Sequence, residues 1–133
     1  MLQTGGITIL EKVGRIEEIT DQGFDSEVLK SELPVLACFI TAWCKCYATC
    51  LFVDELAEKY GGEVKFFKVD TDKNPEVSGR YHIIAVPTIL FFKSSRLVKS
   101  LMGFYDRNFL QYVLDNVVAG DNLPNGVDEN ECG

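Results

Sequence analysis

The sequence lacks the features that mark nucleic-acid-binding and membrane proteins. It has no cluster of basic residues, and 13 Lys and Arg stand against 20 Asp and Glu, for a net charge of −7. A nucleic-acid-binding surface is therefore not expected. The N-terminal residues contain no basic segment followed by a long apolar run, so neither a signal peptide nor a transmembrane segment is predicted. We expect a cytoplasmic chain that binds neither nucleic acid nor membranes.

Internal repeats are also absent, and the length of 133 residues suits one domain with its own hydrophobic core. A composition of 47% hydrophobic and 25% charged residues is that of an ordinary globular chain. The start is only weakly patterned, and the end is rich in Gly, Asn, Asp and Pro, with no basic residue after residue 120. This pattern predicts a lead-in at 1–15, a folded domain at 16–118 and a flexible acidic tail at 119–133.

Five cysteines are present, and three of them, Cys44, Cys46 and Cys50, fall within seven residues. A strand-like apolar run precedes them at 34–40, and a helical pattern follows them to residue 60. Thiols at such a junction lie near the positive end of the helix dipole, which favours the thiolate, and the thiolate is the nucleophile in disulfide exchange. In a reducing compartment, this cysteine usage favours redox or metal chemistry over a structural disulfide framework.

Apolar periodicity predicts strands that alternate with helices. The strands are predicted at 15–19, 35–40, 64–69, 88–92 and 97–102, and the helices at 24–31, 46–60, 75–81 and after a capping Asp106. The order β-α-β-α-β-α-β-β-α requires a mixed central sheet with helices on both faces and one closing hairpin. The predicted fold class is α/β.

Several motifs that occur in this order resemble the thioredoxin family. Ala42-Trp43-Cys44 after the strand 34–39 resembles the tryptophan–cysteine entry to the active site, and Val86-Pro87-Thr88 resembles the cis-proline loop. The other matching segments are 54–57, 68–75 and Gly103. The resemblance runs from about residue 16 to residue 118. It implies a thioredoxin-like fold and a redox-active centre for thiol–disulfide exchange and electron transport, without a cofactor.

The active-site motif departs from the family pattern Trp-Cys-Gly-Pro-Cys-Lys. Only Lys45 separates Cys44 from Cys46. Counted from Trp43 to the 54–57 motif, the chain is one residue shorter than the family pattern. We interpret this as a deletion that turned Cys-x-x-Cys into Cys-x-Cys. Where the family buries an acid beneath the active site, this chain has Cys38, although Lys68 resembles the lysine that accompanies that acid.

Cys44 and Cys46 are the predicted catalytic pair, with Cys44 as the attacking thiol and Cys46 as the resolving thiol. Two residues apart in a helix-like turn, their Cα atoms are expected about 5.5 Å from each other, within the range that a disulfide accepts. The resemblance implies protein substrates with disulfides and a reductase or another thiol as electron donor. We expect a monomer.

The resemblance also implies a substrate-binding surface. Trp43 and Tyr47 are expected to flank Cys44 on an apolar surface together with Val86 and Pro87. The Val86–Pro87 peptide bond is expected to be cis, as in that loop of the family, although only a few per cent of X–Pro bonds are. An extended substrate segment would lie along Val86 and Pro87.

The pattern does not assign a single role to any of the other three thiols. Cys50 follows Cys46 by four residues, so a bond between them requires helix distortion, and a small packed thiol is favoured. For Cys38 a buried apolar role is favoured, and the alternative is that it lies beneath Cys46 and tunes proton transfer with a buried Lys68. Cys132, on the tail, could form a mixed disulfide or link two chains.

Two other function classes stay open. The first is a thioredoxin-fold binding module that keeps the apolar groove but has lost redox turnover. The second is a metal or iron–sulfur carrier that uses the thiolates of Cys44, Cys46 and Cys50. The spacing of these three cysteines matches no strong zinc pattern, and His82 is the one candidate for a fourth ligand. No metal is expected on this basis.

Overall fold

The protein is represented by a computed structural model, which describes residues 16–44 and 46–120, apart from the side chain of Tyr47. The predicted lead-in at 1–15 and almost all of the predicted tail, including Cys132, lie outside the described residues. No helix in the described part is long and apolar enough to cross a membrane.

In the part of the chain that the structure describes, five strands form one mixed sheet. They are β1 (Glu17–Glu18), β2 (Val35–Ile40), β3 (Lys65–Asp70), β4 (Thr88–Lys93) and β5 (Arg96–Met102). Their order across the sheet is β1-β3-β2-β4-β5. Strands β1 and β2 both run parallel to β3, whereas β4 is antiparallel to β2 and β5 is antiparallel to β4. The two-residue β1 is shorter than predicted, and β5 begins one residue earlier.

Within the described residues, four helices connect and cover the strands. They are α1 (Asp21–Phe24), which continues into a π-helical segment (Asp25–Leu29), α2 (Tyr47–Lys59), α3 (Pro75–Arg80) and α4 (Arg107–Ala119). The α/β class and the predicted order of elements are confirmed. The first helix begins three residues before its predicted start.

The residues of β2 alternate between the two faces of the sheet, as the period of two in a strand requires. Leu36 and Cys38 belong to one core cluster, which also contains apolar residues of α2 and α4. Val35, Ala37 and Phe39 belong to the other, with residues of α1, its π-helical extension and α3. Because both faces are covered, β2 is a continuous apolar run.

The last helix begins at its predicted cap and ends at a glycine. Asp106 is the N-cap residue, and its Oδ1 accepts a hydrogen bond of 2.8 Å from the Phe109 backbone N–H. Gly120 follows the helix with a φ of 82°, a left-handed conformation that favours glycine. Lys93 donates from its Nζ to the carbonyl of Val117, so β4 is tied to the C-terminus of α4.

Candidate active site

The site is built where the chain leaves β2 and enters α2. The Cys44 N–H donates to the Thr41 carbonyl at 3.2 Å, which turns the chain after the strand. The Cys46 carbonyl accepts the hydrogen bond of the Cys50 N–H at 2.9 Å, which makes Cys46 the N-cap residue of α2. Both active-site cysteines therefore lie at the positive end of the α2 dipole, where a thiolate is stabilised.

Cys44 and Cys46 are joined by a disulfide, and their Cα atoms are 5.4 Å apart. The separation agrees with the value expected from the spacing of the two residues. The two side chains differ in access to solvent, since Cys46 is only 3% exposed whereas Cys44 is half-buried. A partner thiol or disulfide can thus reach the Cys44 side of the pair more easily.

The cis-proline loop lies at the same end of the sheet. In the antiparallel register, Thr88 pairs with Phe39, so the residues before β4 lie beside the residues that follow β2. The Val86–Pro87 peptide bond is cis. Pro87 is buried and Val86 is half-buried, and the Pro87 carbonyl accepts from the Gly103 N–H at 2.8 Å. The loop is therefore held on one side by β2 and on the other by the end of β5.

Trp43 lies on the surface next to Cys44. It is 70% exposed, and its Nε1 donates to Oδ2 of Asp72 at 3.1 Å. The hydrogen bond fixes the indole at the end of β2 while its apolar face stays open to solvent. The side chain of Tyr47, the other predicted flanking residue, lies outside the described residues.

Two exposed apolar residues near the loop escaped sequence reasoning. Ile84, two residues before Val86, is 80% exposed, and Phe104, directly after Gly103, is 67% exposed. Because Thr88 pairs with Met102, both flank the cis-proline loop at one end of the sheet. The sequence offers no local signal for either residue, because Ile84 follows Ile83 and Phe104 precedes Tyr105, so neither stands out as an isolated apolar residue.

Cys38 lies in the core rather than at the active-site surface. It is 2% exposed, and burial raises the pKa of its thiol from 9.0 to about 12, with Cys50 and Asp54 adding to the rise and Lys68 opposing it. The favoured interpretation of Cys38 as a buried small residue agrees with this position. A thiol with this pKa keeps its proton at neutral pH, so it offers no proton acceptor there.

The proton-transfer hypothesis assumed a buried Lys68, and that assumption is wrong. Lys68 is exposed, because a long side chain near the margin of the sheet carries its ammonium group to solvent. It lines a cavity of about 170 Å³ together with Cys38, Cys50 and Asp54. Cys50, not Cys46, is the helix thiol at this cavity. Cys50 is half-buried, so it is less tightly packed than expected.

The residues considered for the metal-carrier alternative do not form a group of three or more potential ligands in the described part of the chain. No three His, Cys, Asp or Glu residues among those described are placed to hold one metal ion. His82 is exposed, with a φ of 55°, in the connection between α3 and β4. Nothing in this part of the chain favours the metal-carrier alternative.

A sequence model of the thioredoxin family matches residues 15–116, most of the chain. The chain belongs to the thioredoxin family. It is 38% identical over 99 residues to thioredoxin 1 of Nostoc sp., which covers 74% of this chain and 92% of that thioredoxin. It is 40% identical over 98 residues to thioredoxin 1 of Synechococcus elongatus, with 73% and 92% covered. With the chloroplastic M-type thioredoxin of Pisum sativum, the identity is 37% over 94 residues, with 70% and 55% covered.

In a thioredoxin-family chain, a cysteine pair between β2 and α2 is the redox-active centre. Cys44 and Cys46 occupy that place as a bonded pair. The chain is therefore a thiol–disulfide oxidoreductase, and the family, the fold and the activity predicted from its sequence are confirmed.

Proposed function

We propose that this oxidoreductase exchanges disulfides with protein substrates, with Cys44 as the attacking thiol and Cys46 as the resolving thiol. The observation that carries the assignment is the difference in access between the two bonded sulfurs: Cys44 is half-buried and Cys46 is 3% exposed. An attacking thiol must meet a large partner at the surface, whereas a resolving thiol only has to reach its neighbour.

The proposed cycle starts from the reduced pair. The Cys44 thiolate, stabilised by the N-terminus of α2, attacks one sulfur of a substrate disulfide, and the other substrate sulfur leaves as a thiolate. The Cys46 sulfur then attacks Cys44 Sγ, which breaks the mixed disulfide and releases the second substrate thiol. The cycle ends in the Cys44–Cys46 disulfide, which a reductase or another thiol donor must reduce. This is the electron-transport role expected of the chain.

The substrate would bind at the end of the sheet, in an extended conformation along Val86 and Pro87. Support comes from the open indole of Trp43 on one side of Cys44 and the cis-proline loop on the other. Burial of such apolar surface provides affinity without demanding one substrate sequence. We propose a monomer that presents this single surface.

The proposed compartment is the reducing cytoplasm, in which a donor keeps the pair reduced between cycles. Some relatives of this chain, from Pisum sativum and Spinacia oleracea, are chloroplastic M-type thioredoxins. Fluorescence microscopy of the tagged full-length chain in its own cells would distinguish the cytoplasm from a plastid.

Reduction of insulin disulfides by dithiothreitol tests the proposed function. The wild-type chain should accelerate precipitation of the insulin B chain, and Cys44→Ser should abolish the acceleration. Cys46→Ser should accumulate mixed disulfides that are visible on a non-reducing gel. Cys132→Ser, a cysteine change outside the described residues, is the matched control and should keep full activity.

Three results would contradict the assignment in different ways. A wild-type chain that precipitates insulin no faster than dithiothreitol alone would make it a binding module. Turnover by Cys46→Ser together with inactive Cys50→Ser would make Cys50 the resolving thiol. Activity in Cys44→Ser would move the attacking role to another cysteine.

A further inference from the structure

Two free thiols outside the active-site pair face a common cavity. Cys38 on β2 and Cys50 on α2 both line the space of about 170 Å³, together with Asp54 and Lys68. Cys46 is not among its lining residues. We propose that Cys38 and Cys50 form a second dithiol–disulfide couple, which low-molecular-weight disulfides oxidise. The proposal goes beyond the function of the active-site pair and does not depend on it.

The positions of the two thiols fit an attacking and a resolving role. Cys50 is half-buried, so a small reagent can reach it from solvent, whereas Cys38 is 2% exposed and can be reached only from within the cavity. Cys38 lies in the core cluster to which Val53 of α2 also belongs, so this strand and this helix pack together here. The unfilled cavity leaves both side chains room to change rotamer and approach bonding distance.

The chemistry is a two-step exchange with a disulfide RS–SR. The Cys50 thiolate attacks one sulfur of the reagent, so a Cys50–SR bond forms and RS⁻ leaves and takes up the proton that Cys50 lost. The sulfur of Cys38 then attacks Cys50 Sγ, the Cys50–SR bond breaks, and the second RS⁻ takes up the proton of Cys38. In total, two protein thiols become one disulfide, and RS–SR becomes two RSH.

The charges around the cavity set the pH at which the exchange is fast. Burial and the carboxylate of Asp54 raise the pKa of Cys50, and the ammonium group of Lys68 opposes them. The same two charged groups face Cys38, whose pKa is raised to about 12. Because both thiols keep their protons at neutral pH, the rate should rise about tenfold per pH unit up to about pH 9.

A variant that retains only these two thiols isolates the couple. In the full chain, Cys44, Cys46 and Cys132 are replaced by Ser, and the reduced protein is incubated with 2-hydroxyethyl disulfide at about pH 7.5 and about pH 8.5. Remaining thiols are alkylated, and tryptic peptides are analysed by mass spectrometry. We expect loss of both thiols, a link between peptides 31–45 and 46–59, and a rate about tenfold higher at the higher pH. A non-reducing gel should show a monomer.

Adding Cys38→Ala to this variant gives the matched control, which should stop at a stable Cys50 mixed disulfide. The proposal is overturned if the parent variant also stops at the Cys50 mixed disulfide, so that Cys38 remains a free thiol and is alkylated. It is also overturned if neither thiol reacts with the reagent. Circular dichroism checks that the variant is folded. If it is not, the same link is sought in the oxidised wild-type chain, where fragment ions separate a Cys38–Cys50 bond from the Cys44–Cys46 bond. Since the variant lacks the active-site pair, its result is independent of insulin reduction.

Discussion

At the scale of single residues, solvent access and local charge give each cysteine a different reactivity. Cys44 and Cys46 share the N-terminus of α2, but only Cys44 is open to a large partner. Cys38 occupies the position at which the family places an acid. Burial raises the pKa of its thiol to about 12, so the thiol is protonated at neutral pH. A protonated thiol cannot accept a proton, so this position offers no proton acceptor to the proposed resolving step.

Alkylation of the fully reduced chain should follow these differences. At about pH 7, iodoacetamide should modify Cys44 first and Cys38 last, with rates at least about tenfold apart, because the thiolate is the reactive form. Cys50, half-buried with a raised pKa, should react more slowly than Cys44. Mass spectrometry of a quenched time course measures the order, with fragment ions to separate Cys38 from Cys44 within one tryptic peptide. Modification of Cys46 or Cys38 before Cys44 would contradict the proposed nucleophile.

At the scale of elements, one acidic side chain joins two helices that are far apart in the sequence. The carboxylate of Asp21, the first residue of α1, accepts from the backbone N–H groups of Glu76 and Val77 at 3.2 and 2.9 Å. The N–H of Asp21 in turn donates to Oδ1 of Asn74 at 2.8 Å. Asp21 therefore caps the N-terminus of α3 and holds α1 against it.

Replacement of Asp21 by Ala should lower the free energy of unfolding by about 1–2 kcal/mol, since two N–H groups of α3 lose their acceptor. Asp21→Asn, which keeps an acceptor oxygen but loses the charge, should cost less. Asp25→Ala is the control, because Asp25 is 60% exposed and its ion pair with Arg80 contributes little. Urea denaturation measures all three. A loss for Asp25→Ala as large as that for Asp21→Ala would contradict the capping role.

Local patterns predicted most of the elements but not the contacts between them. The continuous apolar run gave β2 its observed bounds, Val35–Ile40, and Asp106 was predicted as a cap and is one. Asp21 lies three residues before the predicted start of the first helix, but the helix that it caps begins more than fifty residues later. Apolar periodicity reports which face of an element is buried, and it carries no information on such distant hydrogen-bond partners.

The same limit applies to the site. The resemblance to the family predicted the pairing of Cys44 and Cys46, and their spacing was compatible with it, because both lie within one turn of chain. The exposure of Lys68 and the cavity shared by Cys38 and Cys50 depend on how α2 packs against the sheet, so no local pattern predicts them. Local patterns also do not predict that an apolar residue such as Ile84 is exposed, since an apolar residue is expected to be buried unless tertiary structure shows otherwise.

At the scale of the whole molecule, a buried thiol in the sheet couples stability to alkaline pH. Cys38 packs in the cluster that joins the sheet to α2 and α4, so unfolding moves its thiol from the core into water. The pKa of that thiol is about 12 in the folded chain and 9.0 for an unperturbed cysteine. Between these values the unfolded chain has lost a proton that the folded chain retains, so the free energy of unfolding falls as the pH rises.

The wild-type chain with Cys38 and Cys50 as free thiols should therefore keep this contribution in full below about pH 9 and lose up to about 1.4 kcal/mol of stability per pH unit above it. The raised pKa values of Cys50 and Tyr60 act in the same direction. Urea denaturation from about pH 8 to about pH 10.5 measures the slope. Cys38→Ala should be less stable at pH 8, because it loses packed atoms, but its stability should fall less steeply with pH. Cys132→Ser should keep the wild-type slope, and an equally steep fall in Cys38→Ala would show that Cys38 does not titrate on unfolding.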